Sequence, residues 1–430
     1  MECKSIPISY VNTWQSLAGA LNLKKWFSSS NLPKYTIRMS EKVYFKNLHG
    51  FRFLAAVLVI ISHIELFKLR VGLSNHWHNP FVFEAGGMGV DFFFVLSGFL
   101  ITTLLLKEIE KTGSIAIIKF YMRRILRIWP LYYLIIVLCY FVLPQTAAFT
   151  IDGYSEGIYE SFWNKLVFSI FFMPNVALAF FKEIPYAAPI WSVGVEEQFY
   201  FFWPLLILVS PRKIRNIGVF IIAFIGAKVL LVICNKLQLM DAGLFTKIKD
   251  LVVATRMECM GIGGLGAWFI YKGHWVGKIL KKNITLIVAL TLLPVTIILS
   301  TKLFELHHII FSVLFLVIII NGAVNPKTPI PLESKLFLLL GNISYGLYLW
   351  HSICIGFLIN ILQKNEYFTM EGGWFNVVLY IGTFLLSILI AWLSYTFYEA
   401  PFLKIKSRFS VIVSGTDARR TKSHKGGMKN

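Results

Sequence analysis

The chain has little charge and little that could cross-link it. Charged residues make up 15% of its 430 residues, and acidic ones are scarce, 22 against 42 basic. The five cysteines, Cys3, Cys139, Cys234, Cys259 and Cys354, form no CxxC and no pairing pattern. Four lie in apolar runs, where cysteine behaves as a small hydrophobe. Neither a disulfide framework nor a metal site is indicated. The start, MECKSIPISYVNTW, lacks the apolar core and cleavage site of a signal peptide, so the first span is expected to stay as an anchor. No run of about ten alternating residues marks a β-barrel. No internal repeat supports an inverted-repeat transporter.

What is present is apolar length. Hydrophobic residues are 57% of the chain, and runs long enough to cross a bilayer recur almost to its end. The expected fold is all-α, a multi-pass transmembrane helical bundle of about ten spans. They fall near 51–69, 86–106, 128–146, 199–211, 217–235, 255–272, 284–301, 307–324, 338–363 and 376–398.

The net charge of +20 sits in short loops and in a basic tail (Lys404, Lys406, Arg408, Arg419, Arg420, Lys422). That pattern fits the positive-inside rule and anionic lipid, and it excludes a nucleic-acid platform, which needs one basic soluble face. Lys42, Lys46 and Arg52 place the N-terminus in the cytoplasm, and the acidic stretch 147–165 outside. Segment 166–181 is apolar enough to cross. If it crosses, three later basic blocks fall outside. If it turns back around Pro174-Asn175, all three fall inside. The second solution is adopted: a large external re-entrant loop, 147–198, with both termini cytoplasmic. Such backbone must be covered by protein or line a cavity. The expected organisation is an N-terminal arm 1–45 (Met39 offers a second start), a membrane domain 46–403 and a basic tail 404–430.

Ionisable groups inside spans are costly and face a partner or a cavity. In FRFLAAVLVIISHIELF, 51–67, eleven positions separate Arg52 and His63. At about 100° and about 1.5 Å per residue they share one stripe, about 16 Å apart in depth. An anchoring arginine with a core histidine is the structural alternative. Asp91, in GGMGVDFFFVLSGFLI, lies at a depth similar to His63 and is a candidate orienting partner, or a cap of its own helix. Gly86, Gly87, Gly89, Ser97 and Gly98 read as packing residues.

Arg124 and Arg127, in YMRRILRIWP, share a helical face and suit a phosphate or pyrophosphate; headgroup anchoring is the alternative. In PIWSVGVEEQFYFFWP, Ser192 is read as a helix cap with Glu196 and Glu197 in the first turn, about 100° apart, so at most one faces a site squarely. Trp191, Tyr200 and Trp203 read otherwise as an aromatic belt. Arg256 and Glu258, in ATRMECMGIGGLG, fall on opposite faces near the outer end of span six, with Arg256 expected to meet Glu196 or Glu197. Tyr345, Tyr348 and His351, in GNISYGLYLWHSI, lean structural, and His76, His78, His307 and His308 read as solvated.

Arg52-x10-His63, GVDFFFVLSGFL, the RxxR of Arg124 and Arg127, WSVGVEEQFYFFWP, ATRMECMGIG, ISYGLYLWHS and the closing FYEAPF resemble the acyltransferase-3 family of integral membrane acyltransferases, over about residues 45–405. Its members modify polysaccharides, lipopolysaccharide, Nod factors, peptidoglycan or small molecules. The resemblance implies an acyl-CoA donor, usually acetyl-CoA, on the cytoplasmic side of a bacterial-type inner membrane, and a hydroxyl acceptor outside. It makes the Arg52–His63 pair essential, and brings Arg124, Arg127 and one of Glu196 and Glu197 into the site. His49 stands where the family often has aspartate. No SGNH-type hydrolase domain follows, so acceptor transfer is expected of the membrane domain or of a separate partner.

Residues and resemblance together give one expectation. Arg52, Arg124 and Arg127 hold the CoA phosphates. His63, oriented by Asp91 or a glutamate, deprotonates the acceptor hydroxyl or is itself transiently acylated. Ser192, Arg256, Glu258, Tyr345 and His351 form a surrounding polar network. Expected partners are acyl-CoA, a glycan or glycolipid acceptor and membrane lipid. The rival readings are a glycan or lipid transporter, or flippase, and a non-catalytic subunit of an assembly complex.

Overall fold

The computed structural model describes residues 42–151, 153–181, 183–209, 213–300, 303, 306–364 and 373–414. The expected arm up to residue 41 and the tail beyond 414 lie outside the described residues. The regular structure of the described residues is helical except for one two-residue parallel pairing, β1 (Lys42–Val43) with β2 (Val413–Ser414).

α1 (Leu48–Arg70) leads to α2 (Pro80–Thr112) and α3 (Ile117–Val137), which runs on through a π-helical turn, Leu138–Val142. α2 is punctuated by its sequence. The Asn79 side chain accepts from the Phe81 amide (2.9 Å), Pro80 opens the helix, and Gly113 closes it at φ 77. Its 33 residues reach about 50 Å, well beyond a hydrocarbon core of about 30 Å.

α2 is the centre of the bundle, against α1 on one side and α9 (Met257–Tyr271) and α12 (His307–Val324) on the other. Glycine makes the α2–α9 contact possible. A Cβ on Gly98 would stand 1.9 Å from the Met260 carbonyl oxygen, and one on Gly263 would stand 2.1 Å from that of Val95. Two helices without side chains at the crossing bring their backbones together, which is how spans gain dispersion energy where lipid removes the hydrophobic drive. Gly89 does the same against the Ala55 carbonyl of α1.

The loop expected to be re-entrant carries α4 (Phe162–Ile170) and α5 (Pro174–Phe180). At about 13 and 10 Å long, neither can cross. The chain turns between them at Phe171–Met173, with Phe172 at φ 57; Pro174 opens α5 rather than forming the bend. The broken backbone is covered as the bilayer demands. Gln198 donates to the Phe172 carbonyl (2.7 Å) and to Asn175 (2.8 Å), Tyr132 donates to the Ser169 carbonyl (2.7 Å), and the Phe172 ring stacks on Tyr132.

α6 (Ile190–Val209) begins nine residues before the span read from sequence (199 − 190). Then follow α7 (Lys213–Lys236), α8 (Ala242–Thr255), α9, α10 (Trp275–Leu280), α11 (Asn283–Leu299), α12, α13 (Lys335–Asn342), α14 (Ser344–Gln363), α15 (Gly373–Leu393), a π-helical turn at Ser394–Glu399 and α16 (Ala400–Lys406). Among the described residues, seven helical stretches are long and apolar enough to cross: those of α1, α2, α3, α7, α12, α14 and α15. α6, α9 and α11 stand where sequence places the other three spans, but they are not among those seven. Phe201, Phe202, Ile222, Ile298 and Leu385 are exposed on their outer faces, an apolar surface that fits lipid. The chain is an integral membrane protein.

One end of the bundle gathers basic loops. Asn321 donates to the carbonyls of Lys281 and Lys282 (3.0 and 3.2 Å), and the next carbonyl, Gly322, accepts from Asn47 at the start of α1 (2.9 Å). Lys281–Lys282 and the Arg52 end of α1 therefore lie together, as the folding-back of 166–181 requires.

Candidate active site

Three cavities follow one another through the bundle, sharing walls. The first, about 1160 Å³, opens at the Arg52 end and is lined by His49, Arg52, Arg124, Arg127 and Lys406, with no carboxylate among its lining residues. The second, about 720 Å³, shares Arg52, Ser97, Arg124, Arg127 and Tyr200 with it, and adds Glu196, Ser192, Tyr345 and Tyr348. The third, about 820 Å³, meets the second at Val90 and Tyr348 and is lined by His63, Glu84, Trp191, Arg256, His307 and His308. The three cavities thus lie in succession between Arg52 and His63.

The helix period explains both ends of this succession: Arg52 and His63 face the cavities from one stripe of α1, three turns apart. Arg124 and Arg127 join from the first turns of α3, one turn apart. Among the described residues none of these three guanidiniums forms an ion pair with a carboxylate. Arg124 rests against the rings of Phe120 and Tyr200 (5.8 and 5.6 Å), and its Nε is buried without a hydrogen-bond partner. Three cations lining the first cavity, whose lining includes no carboxylate, suit a multiply charged anion.

Glu196 and Glu197 separate as their angular offset requires. Glu196 lines the second cavity and accepts from Ser97 (2.8 Å) and Tyr200 (3.0 Å); Glu197 accepts from the Trp129 indole (2.8 Å) and lines none of the three. Both lie beside the arginine cluster, not beside Arg256. α6 starts at Ile190, so Ser192 is no cap. Its hydroxyl donates to the Pro189 carbonyl (3.1 Å) and bonds the Tyr348 hydroxyl (2.6 Å). Trp203 is fully buried, Tyr200 nearly so, and Trp191 lines the third cavity, so no aromatic belt forms there.

Asp91 is not the partner of His63. It accepts from His308 Nδ1 (2.6 Å) and Arg256 (3.3 Å), with the Cys259 thiol at 3.8 Å. Arg256 occupies a break between α8 and α9 at φ 27, off the helix, so the opposite-face reading against Glu258 does not apply. Its guanidinium lies over Trp191 (5.7 Å). Glu258 is buried against Lys228, away from the cavities. His307 pairs with Glu84 (3.4 Å), and both His307 and His308 are buried, not solvated. Two adjacent histidines opening a span read as interfacial; only the fold shows carboxylates of α2 behind them.

His63 meets His351. Nδ1 of the first and Nε2 of the second are 2.7 Å apart, and the ring centroids are 5.0 Å apart. Tyr345 donates to the Ile128 carbonyl (2.8 Å) from the wall of the second cavity. Sequence reading missed Ser97, Tyr200 and Lys406 as lining residues. Lys406 had been counted with the tail.

Residues 45–396 match the acyltransferase domain of the acyltransferase-3 family. The chain is 30% identical over 397 residues to the O-acetyltransferase OatA of Staphylococcus aureus, covering 85% of this chain and 58% of that protein. It is 27% identical over 398 residues to the peptidoglycan O-acetyltransferase OatA of Listeria monocytogenes, covering 86% and 57%. It therefore spans little more than half the length of these relatives. No solved structure matches it. With the family's domain matched over residues 45–396, most of its length, the chain belongs to the acyltransferase-3 family.

Proposed function

We propose that the protein is a membrane O-acyltransferase that takes an acetyl group from acetyl-CoA at the arginine-lined cavity and gives it to a hydroxyl of a surface glycan or glycolipid in the cavity of His63. The basic end is cytoplasmic and the membrane is a bacterial cell membrane. The names of the relatives, O-acetyltransferase and peptidoglycan O-acetyltransferase, support this class of reaction. The observation that carries it is the succession of cavities with shared lining residues: the guanidiniums of Arg52, Arg124 and Arg127 at one end, the imidazole of His63 at the other, and the hydroxyls of Ser97, Tyr200 and Tyr348 between.

The chemistry follows the geometry. Arg52, Arg124 and Arg127 hold the CoA phosphates by charge-assisted bonds. The amide-rich arm threads the second cavity past Ser97, Tyr200 and Tyr348, bringing the thioester to the neck at Val90 and Tyr348. His63 takes the proton of the acceptor hydroxyl as its oxygen attacks the thioester carbonyl. The C–S bond breaks, and His63 returns the proton to the departing thiolate.

The test uses the full chain in lipid nanodiscs with acetyl-CoA and a soluble glycan acceptor, reading free thiol and acetylated product. Activity is expected, and His63→Ala should lower transfer by at least about a hundredfold. Undiminished transfer by that variant, or absence of acetyl-CoA binding to the wild type, would overturn the reading; the latter favours transport.

A further inference from the structure

We propose that His351 is the positioning residue of His63, fixing by one in-line hydrogen bond which ring nitrogen of His63 meets the substrate. The inference rests on the reading of His63 as the base, and it assigns the orienting role that no carboxylate among the described residues fills. Asp91 is committed to His308 and Arg256, Glu196 to Ser97 and Tyr200, and Glu65 to Lys68 and Tyr380.

The geometry is that of a single shared proton. A centroid separation of 5.0 Å with the nitrogens 2.7 Å apart means the rings meet nearly head-on, 28° from coplanar, so the bond runs along both lone-pair directions. Two protons between the nitrogens would repel, as would two lone pairs. The pair therefore holds one proton, and His63 Nδ1 is engaged in either arrangement. Nε2 is left as the only nitrogen of His63 able to reach a substrate. It bonds to no described residue and is not sealed from the third cavity, which His63 lines.

The tautomer follows from the other side of His351. Its Nδ1 is buried with no hydrogen-bond partner. This is the ring nitrogen nearer its own main chain, where the carbonyls of the preceding turn of α14 point. A proton on Nδ1 faces the negative ends of those dipoles; a lone pair there faces like charge. With that proton on Nδ1, His351 Nε2 is an acceptor, His63 Nδ1–H donates to it, and His63 Nε2 carries the lone pair that catalysis needs. His351 thus does for His63 what a carboxylate does for the base of a hydrolytic triad, without bringing a negative charge into the membrane interior.

The experiment replaces His351 in the full chain in nanodiscs and measures kcat and KM for acetyl-CoA beside His63→Ala. Glutamine places a carbonyl oxygen about where Nε2 stood; asparagine has the same group but stops short; leucine has none. H351Q is expected to keep activity within about tenfold of wild type, while H351N and H351L lose about a hundredfold in kcat with KM unchanged. The double variant H63A/H351L should be no worse than H63A alone, because residues acting as a unit are non-additive. Equal loss in H351Q and H351L, or additive loss in the double variant, would overturn the positioning role and leave a structural one. Full activity in H63A would instead overturn the reading of His63 itself, so the two failures are distinguishable.

Discussion

The imidazoles of His63 on α1 and His351 on α14 are joined nitrogen to nitrogen at 2.7 Å, across 288 residues of sequence. This contact ties two helices together and leaves one ring nitrogen facing the third cavity. It divides the polar groups of the bundle into those that line the cavities and those that hold their walls, and the two kinds respond differently to substitution.

Removing a guanidinium from the first cavity should act on the donor. Arg124→Ala or Arg127→Ala is expected to raise the KM for acetyl-CoA by about tenfold or more, the loss of one charge-assisted bidentate contact. Lysine at either position should recover only part of it, since a point charge lacks the planar fork. The check is KM for acetyl-CoA against ionic strength; the salt dependence should weaken with each arginine removed.

Glu196 and Glu197 should separate in activity as they do in space. Glu196→Gln alters the second cavity and the carboxylate held by Ser97 and Tyr200, and is expected to lower kcat/KM at least about tenfold. Glu197→Gln keeps a carbonyl for the Trp129 indole, lines none of the three cavities and should stay within about threefold. Equal effects from the two, measured in parallel, would contradict the arrangement.

Asp91 should matter for folding before chemistry. It is fully buried between Arg256 and His308. Asp91→Ala removes the fully buried carboxylate that Arg256 and His308 share, a loss of about 3–5 kcal/mol. A large fall in the melting temperature of the purified protein is expected. Asp91→Asn, which keeps the shape and loses the charge, should fall between.

The α2–α9 crossing tolerates no side chain. Gly98→Val and Gly263→Val should each destabilise the bundle by more than the roughly 1–3 kcal/mol of ordinary overpacking, because the obstacle is backbone and not a rotatable side chain. Thermal unfolding in detergent checks this. A control, Gly218→Ala, where nothing lies within 4 Å, should be neutral to stabilising.

Two kinds of information separate along the chain. Properties of period and length were legible from residues alone. Apolar runs gave the spans, glycines the close crossing, and the count of basic loops showed that 166–181 turns back. Eleven positions along one helix placed Arg52 and His63 on one face of it. Only the tertiary structure decided which buried charge meets which. The partners of His63, Asp91 and Arg256 come from helices 288, 217 and 165 positions away, and a hydrogen bond between distant helices leaves no periodic trace in either. Helix breaks moved the rest. α6 begins before its motif rather than within it, and Arg256 stands in a bend, so depths counted along ideal spans set the glutamates beside Arg256 when packing sets them beside Arg124. A sequence fixes the direction of a side chain around its own helix axis; the rotation and depth of that helix among its neighbours are set by contacts summed over the whole bundle.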